Sequence, residues 1–443
     1  MRASPLLALL LTLAAAPSTG AAETDKPAGR RIALDEAERL ALDSNPSLQA
    51  VSARVKSGEL AARATVSRMG PSFALSEEFQ VWDSPFVINF PNFTDPSGPP
   101  TAFTGRDQTT NTFALAAQQP LLGLVRLVEE YRAQRQTAAA TKAQLQVAQK
   151  AVLQGIRTAY LRHFEAKALE EIAQQSEKEL SEQVTIAQAK LKAGVLTNAD
   201  VLRVQVAVAN AQQQEIVGRT QADIARASIL ITLGISPDEA VELVEPTALI
   251  QTSRTELGNY KSSIERALTT RPELLTARLS IETAQHQQRA RLLSILPDVN
   301  LEAGYTRIDG QVFAPKNAAF LGVKATWAFW DWGATWFGYR AAKAQSEAAA
   351  QDLAAQQRQI SSEVASELAQ SKSARSAVRL AEQSIESAAE AYRVTEALVK
   401  AGSATTTDLL ESQAALSQAR LNLVRAQYQM AIAYVAVQHA MGL

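Results

Sequence analysis

The sequence predicts an α+β membrane protein made of two tandem structural repeats. Each repeat carries a strand pair and a long α-helical hairpin, so each chain has four transmembrane β-strands. Three observations predict this: landmarks that recur at two constant offsets, alternating apolar stretches flanking two loops, and two proline-free helical runs of about 60 to 65 residues.

Residues 1–22 read as a signal peptide. Arg2 supplies a short positive region, Leu6 to Ala16 a short apolar core, and small residues lead to cleavage after Ala22. The chain contains no cysteine, which excludes disulfides and a lipid anchored on an N-terminal Cys. Nothing beyond residue 22 approaches 18 consecutive apolar residues, so a membrane could be crossed only by β-strands. A formal net charge of -1 offers a nucleic acid no electrostatic reason to bind.

The repeats run over residues 23–240 and 260–443, joined by a linker at 241–259. ALDSNPSL, starting at Ala41, returns 226 residues later as ALTTRPEL from Ala267, and Pro71 returns at the same offset as Pro297. Gly194 and Asp200 return 208 residues later as Gly402 and Asp408. The change of offset places 18 extra residues in the first copy. Their natural home is Asp83 to Gln108, whose five prolines and two glycines predict a loop.

Strands flank that loop and its shorter counterpart at Arg307 to Asn317. Phe73, Leu75, Phe79 and Val81 alternate with polar or small residues, as do Val299, Leu301, Ala303 and Tyr305. After the loops, Phe113, Leu115 and Ala117 form one apolar row, and Leu321, Val323 and Ala325 another, with Trp327 and Phe329 in phase. Strands of about 9–11 residues with one apolar face suit a membrane barrel; the same alternation would suit a half-buried hairpin. Four strands cannot close a barrel. Three copies supply twelve, whereas two supply eight around a narrow interior.

From about Leu127 to Lys192 and about Tyr339 to Lys400 there is no proline, and Gly155 is the only glycine. Both runs end alike, in KAGVLTNADVL (from Lys192) and KAGSATTTDLL (from Lys400). Gly194 and Gly402 predict left-handed helix stops, and Thr197 and Thr405 predict N-caps whose capping boxes Asp200 and Asp408 complete. Six such hairpins in a trimer would continue the barrel as a helical tube.

This layout resembles the TolC family of outer-membrane efflux proteins over essentially the whole mature chain. IALDEAERLALDSNPSLQA resembles the family's opening, AFWDWG (Ala328 to Gly333) its return from strand to helix, and PLLGLV (Pro120 to Val125) a weaker first-copy version. The two KAG segments resemble its hairpin tips. The resemblance implies a homotrimer with a 12-stranded barrel in outer-membrane lipid and a periplasmic α-barrel. It implies a passive exit duct for efflux or type I secretion, opened when a periplasmic adaptor docks, with an inner-membrane transporter reached through the adaptor. The docking tips would be Gly194, Val195, Leu196 and Thr197, with Gly402, Ser403, Ala404 and Thr405. The channel gate would be a ring of Asp408 and Glu411, with Arg203 and Asp200 on the first hairpin. Where the family can lock its tips with an Arg and a Tyr, this chain has Ala404 and Val399. Arg203, the counterpart of Glu411, is therefore expected to pair with Asp408 or Glu411 of a neighbouring hairpin.

No catalytic motif is present, and His163, His286 and His439 lie far apart in the chain, so no enzyme, metal site or cofactor is expected. Acid pairs such as Glu129–Glu130 read as solvated helix faces. The competing expectation is a periplasmic coiled-coil adaptor or structural protein with no membrane barrel.

Overall fold

A computed structural model of the chain describes residues 30–92, 94 and 97–443. The signal-peptide segment, residues 1–22, lies outside the described residues. The first repeat runs β1 (Arg30–Ile32), α1 (Leu34–Ser44), α2 (Pro46–Ser67), β2 (Ser72–Val81), β3 (Phe86–Phe90), β4 (Thr101–Pro120), α3 (Gly123–Lys192) and α4 (Asn198–Thr232). After β5 (Val241–Leu243) and α5 (Thr247–Thr252), the second runs α6 (Tyr260–Thr270), α7 (Pro272–Leu293), β6 (Asp298–Gln311), β7 (Asn317–Thr326), α8 (Ala334–Lys400) and α9 (Thr406–Ala440). The repeat is visible in matched lengths: α1 and α6 have 11 residues, α2 and α7 have 22, and α4 and α9 have 35. Pro46 and Pro272 each open their helix at a first-turn position, where the missing N–H costs no bond.

The main sheet is antiparallel in the order β2-β4-β6-β7, with β3 added along β4. Phe73, Leu75, Phe79 and Val81 on β2 are exposed, as are Leu321 and Val323 on β7. A row of large apolar side chains turned outward from a sheet fits lipid rather than water. No helix among the described residues is long and apolar enough to cross a membrane. Two expectations need correction. The segment from Asp83 to Gln108 is not all loop, because it contains β3 and the start of β4, from Thr101 to Gln108. Its prolines bracket a β-favouring run, Phe86-Val87-Ile88-Asn89-Phe90, which pairs with Thr101 to Arg106. On the other side of the sheet, β7 ends at Thr326, so Trp327 and Phe329 follow the strand instead of extending it. The indole N–H of Trp327 donates to the carbonyl of Ile295 (3.1 Å).

Below the sheet stand α3, with 70 residues, and α8, with 67. At 1.5 Å per residue each is about 100 Å long. Both exceed the 60 to 65 residues expected, because they begin almost directly after the strands. In α8 the entry is a tight turn: Asp331 accepts hydrogen bonds from the backbone of Gly333 (3.0 Å) and Thr335 (2.8 Å). α4 and α9 fold back along α3 and α8, and α3 also packs on α9, giving the lateral order α4-α3-α9-α8. Many contact positions are alanine (Ala133, Ala143, Ala173, Ala187), which lets the helices approach closely.

The largest core lies midway along the helices, where the short strands β1 and β5 pair in parallel. Tyr160 is fully buried there; its hydroxyl donates to the carbonyl of Ile32 (2.6 Å) and accepts from the N–H of Val244 (3.1 Å). Burial pushes that phenol up to about 12, so it stays a neutral strut between the two segments. A second core joins α6, α7, α8 and the end of α9 through Ala267, Leu274, Ile360, Val364 and Val437.

The hairpin tips as the candidate functional site

Each tip is a helix stop followed at once by a helix start. Gly194 (φ 75°) and Gly402 (φ 74°) adopt the left-handed backbone that an L side chain resists. Around them, Val195 N–H donates to Lys190 O (2.9 Å) and Gly194 N–H to Leu191 O (3.0 Å). Ser403 N–H and Gly402 N–H repeat this with Leu398 O (2.9 Å) and Val399 O (3.3 Å). These paired bonds satisfy carbonyls that a helix end leaves free. Lys190, Lys192 and Lys400 stand in the last turns, where the dipole favours positive charge.

The restart is a reciprocal capping box at both tips. Thr197 Oγ1 accepts from Asp200 N–H (3.3 Å), and Asp200 Oδ2 accepts from Thr197 N–H (3.0 Å) and its hydroxyl (2.7 Å). Thr405 and Asp408 do the same at 3.2, 2.8 and 2.7 Å. The threonine hydroxyl, then its backbone N–H, holds each carboxyl below the usual carboxylate range, so both are anionic at neutral pH. The like-charge crowding expected of a ring arises only between copies; within one chain the cap acts in the opposite direction.

The two tips touch. Ala187, Val201 and Val204 form a small core beneath the first, and both Leu196 of that turn and Leu410 of the second hairpin pack against it. Arg203 Nη1 lies 3.4 Å from Asp200 Oδ1 and 3.3 Å from Thr407 Oγ1. Within the chain Arg203 reaches neither Asp408 nor Glu411. The reason is local: the capping box turns the Asp408 carboxylate back onto Thr405. The pairing expected with a neighbouring hairpin would then be made with a hairpin of another copy. Glu411 is exposed and makes no ion pair or hydrogen bond among the described residues. Val195, Gly402 and Ser403 are exposed, while Ala404 is half-buried.

Two features escaped sequence reasoning. Gln413, one turn beyond Leu409, is buried at 3% exposure with neither amide atom hydrogen-bonded among the described residues. A polar residue in the apolar progression Leu409, Gln413, Leu416 was the available signal. Far from the tips, Glu129 is buried at 8% exposure and bonded to His286, so it is not part of a solvated face. No local signal could have found a pair this remote in the chain. Among the described residues no cluster of His, Cys, Asp or Glu is able to hold a metal ion.

Comparison with known proteins agrees with this architecture. The chain matches the outer membrane efflux protein family over residues 38–234 and 263–443. It is 24% identical over 287 residues to the outer membrane efflux protein BepC of Brucella suis, covering 64% of this chain and 61% of BepC, less than two thirds of that relative. It is also 24% identical over 341 residues to the alkaline protease secretion protein AprF of Pseudomonas aeruginosa, covering 76% of this chain and 70% of AprF. The solved structure of the outer membrane protein VceC from Vibrio cholerae superposes with a TM-score of 0.76 at 18% identity, over 92% of this chain and 96% of VceC. With the doubled hairpins, the outward apolar strands and a family match across both repeats, the chain belongs to the outer membrane efflux protein family, placed in the outer membrane with its helices extending into the periplasm.

Proposed function

We propose that this chain closes as a homotrimer into a duct through the outer membrane, the passive exit of a tripartite efflux or type I secretion system. One observation carries the proposal: both layers end in free, complementary edges. In the sheet, β2 and β7 have no partner on their outer sides among the described residues. In the helical layer, α4 exposes Leu202, Val206, Ile216, Ile224 and Ile231 along one stripe, and α8 exposes Leu380, Val394 and Leu398. A surface whose two different edges are unsatisfied joins head to tail, and such contacts form a ring when the rotation closes. Twelve strands in three copies remove every open edge from lipid. The outward apolar faces of β2 and β7 argue against a soluble adaptor.

At the far end, the tips Gly194 to Thr197 and Gly402 to Thr405 are the surface for a periplasmic adaptor, through which the transporter is reached. Their short turns and small side chains let another hairpin approach closely. Asp408 and Glu411, with Asp200 and Arg203, form the gate. BepC is named for efflux and AprF for protease secretion, and both activities fit a duct whose cargo is chosen by the transporter behind it. The test is single-channel recording of the purified protein in a planar bilayer with its mass in detergent. A conducting trimer is expected; a non-conducting soluble monomer would refute the proposal.

A further inference from the structure

We propose that the outer end of the β6–β7 hairpin, on the lipid side of the sheet, binds the terminal phosphate of an outer-leaflet glycolipid. The outward row of β6 runs Val299, Leu301, Ala303 and Tyr305, then continues in phase as Arg307 and Asp309. Lys316, in the turn before β7, joins them. Its carbonyl accepts from Ile308 N–H (2.9 Å), which holds the lysine beside Asp309. Asp309 takes one cation on each carboxylate oxygen, Lys316 Nζ on Oδ1 and Arg307 Nε on Oδ2, both at 3.0 Å. Two cations thus share one acid, and among the described residues neither pairs with another.

The two cations are fixed in place yet open to a ligand. Arg307 is bonded through Nε, so both terminal nitrogens of its fork stay free among the described residues, and Lys316 uses one of its donors. Their side chains are 53% and 65% exposed. A terminal phosphate has three acceptor oxygens and can take the fork and the ammonium together. The level along the sheet is marked by Tyr305, whose hydroxyl donates to Asn317 Oδ1 (2.9 Å). Such an amphipathic ring belongs where lipid tails meet headgroups. Towards the helices the paired outward residues are Ala303 with Leu321 and Leu301 with Val323, a surface for acyl chains. Across the sheet Glu77 is set apart from Arg307 by Phe113 of β4 and accepts from Asn111 (3.3 Å). The helices extend into the periplasm, so this end of the sheet meets the outer leaflet. The inference rests on the barrel proposed above, in which β2 and β7 join copies through backbone bonds in the plane of the sheet and leave this outward face uncovered.

The test uses the full mature chain in detergent, mixed separately with diphosphoryl lipid A, its dephosphorylated form and phosphatidylglycerol, with retained lipid counted by native mass spectrometry. Retention of diphosphoryl lipid A at up to one molecule per chain is expected, with the dephosphorylated form lost. The double variant Arg307→Gln, Lys316→Gln should weaken retention by about tenfold. Arg307→Lys with Lys316→Arg, which keeps both charges, should retain the lipid. Arg393→Gln, at an exposed α8 arginine already paired with Glu390, should bind as the wild type does. Trimer mass and single-channel conductance, read on the same samples, separate a failure of this site from a failure of the duct. Equal retention of dephosphorylated lipid A by the wild type would overturn the proposal, whether or not any variant folds. So would undiminished retention by the double glutamine variant, or a preference for the phosphodiester of phosphatidylglycerol.

Discussion

Glu129 of α3 and His286 of α7 meet at 2.7 Å across 157 residues of sequence, joining the two repeats just below the sheet. Arg132 donates to the other carboxylate oxygen of Glu129 (2.6 Å). Burial pushes the Glu129 carboxyl up, but the hydrogen bond and charge of His286, with those of Arg132, outweigh it and hold the group below its usual range. A carboxyl lowered in the folded state contributes stability that is complete above the unfolded value, about 4.3, and fades as pH falls through the folded one. The melting temperature should therefore fall between about pH 5 and pH 3, and Glu129→Gln should flatten part of that slope. Parallel slopes for the two proteins would show that this pair is not the acid-sensitive joint.

The tip caps make a separable prediction. Thr197→Ala and Thr405→Ala should each cost about 1 kcal/mol of local stability. The loss should be read as faster amide exchange in the first turns of α4 and α9, with the midway core unaffected. Uniform acceleration along the hairpin would mean that the cap stabilises more than its own turn.

Gln413 gives a prediction of the opposite sign. An unpaired buried amide costs about 1–3 kcal/mol, so Gln413→Leu, of similar volume, should raise the melting temperature. It should also slow exchange in the adjoining turns of α9. A destabilised variant would show that the amide finds a partner in the assembled protein.

Arg203 bears on the proposed gate. Its contacts to Asp200 and Thr407 tie the first tip to the second, and Arg203→Glu would set a carboxylate beside Asp200 instead. Repulsion within the first tip, with loss of the donor to Thr407, should loosen the joined tips and raise the conductance of the channel in a planar bilayer. Unchanged conductance would remove Arg203 from the closing contact.

How far the fold could be read from sequence depended on whether the determining contacts were local. The tips were fully readable, because a left-handed stop and a capping box are set within about ten residues. The loop at Asp83 to Gln108 was misread because its prolines outweighed the short β-favouring run between them. The Glu129–His286 pair and the Arg203–Thr407 contact were hidden because each depends on helices meeting in three dimensions. Repeat symmetry also misleads in detail. Asn45 caps α2 through its side chain, accepting from Ser47 and Leu48, whereas its counterpart Arg271 makes no cap and reaches across to α8.

That substitution leads to a test decided by burial. The Arg271 side chain is 5% exposed and pairs with Glu363 (2.6 Å) and Glu273 (3.1 Å), while Glu363 is 36% exposed. Removing one partner of an ion pair costs most when the charge left behind cannot reach water. Glu363→Ala strands a buried guanidinium with Glu273 alone and should cost about 3 kcal/mol. Arg271→Met leaves Glu363 open to solvent and Glu273 partly so, and keeps an apolar stem in the packed site, so it should cost less than Glu363→Ala. Melting both variants of the purified protein under one set of conditions decides the order. If Arg271→Met proves the more damaging, the arginine acts chiefly through its packing and its bonds to both acids, and the asymmetry of burial does not govern the pair.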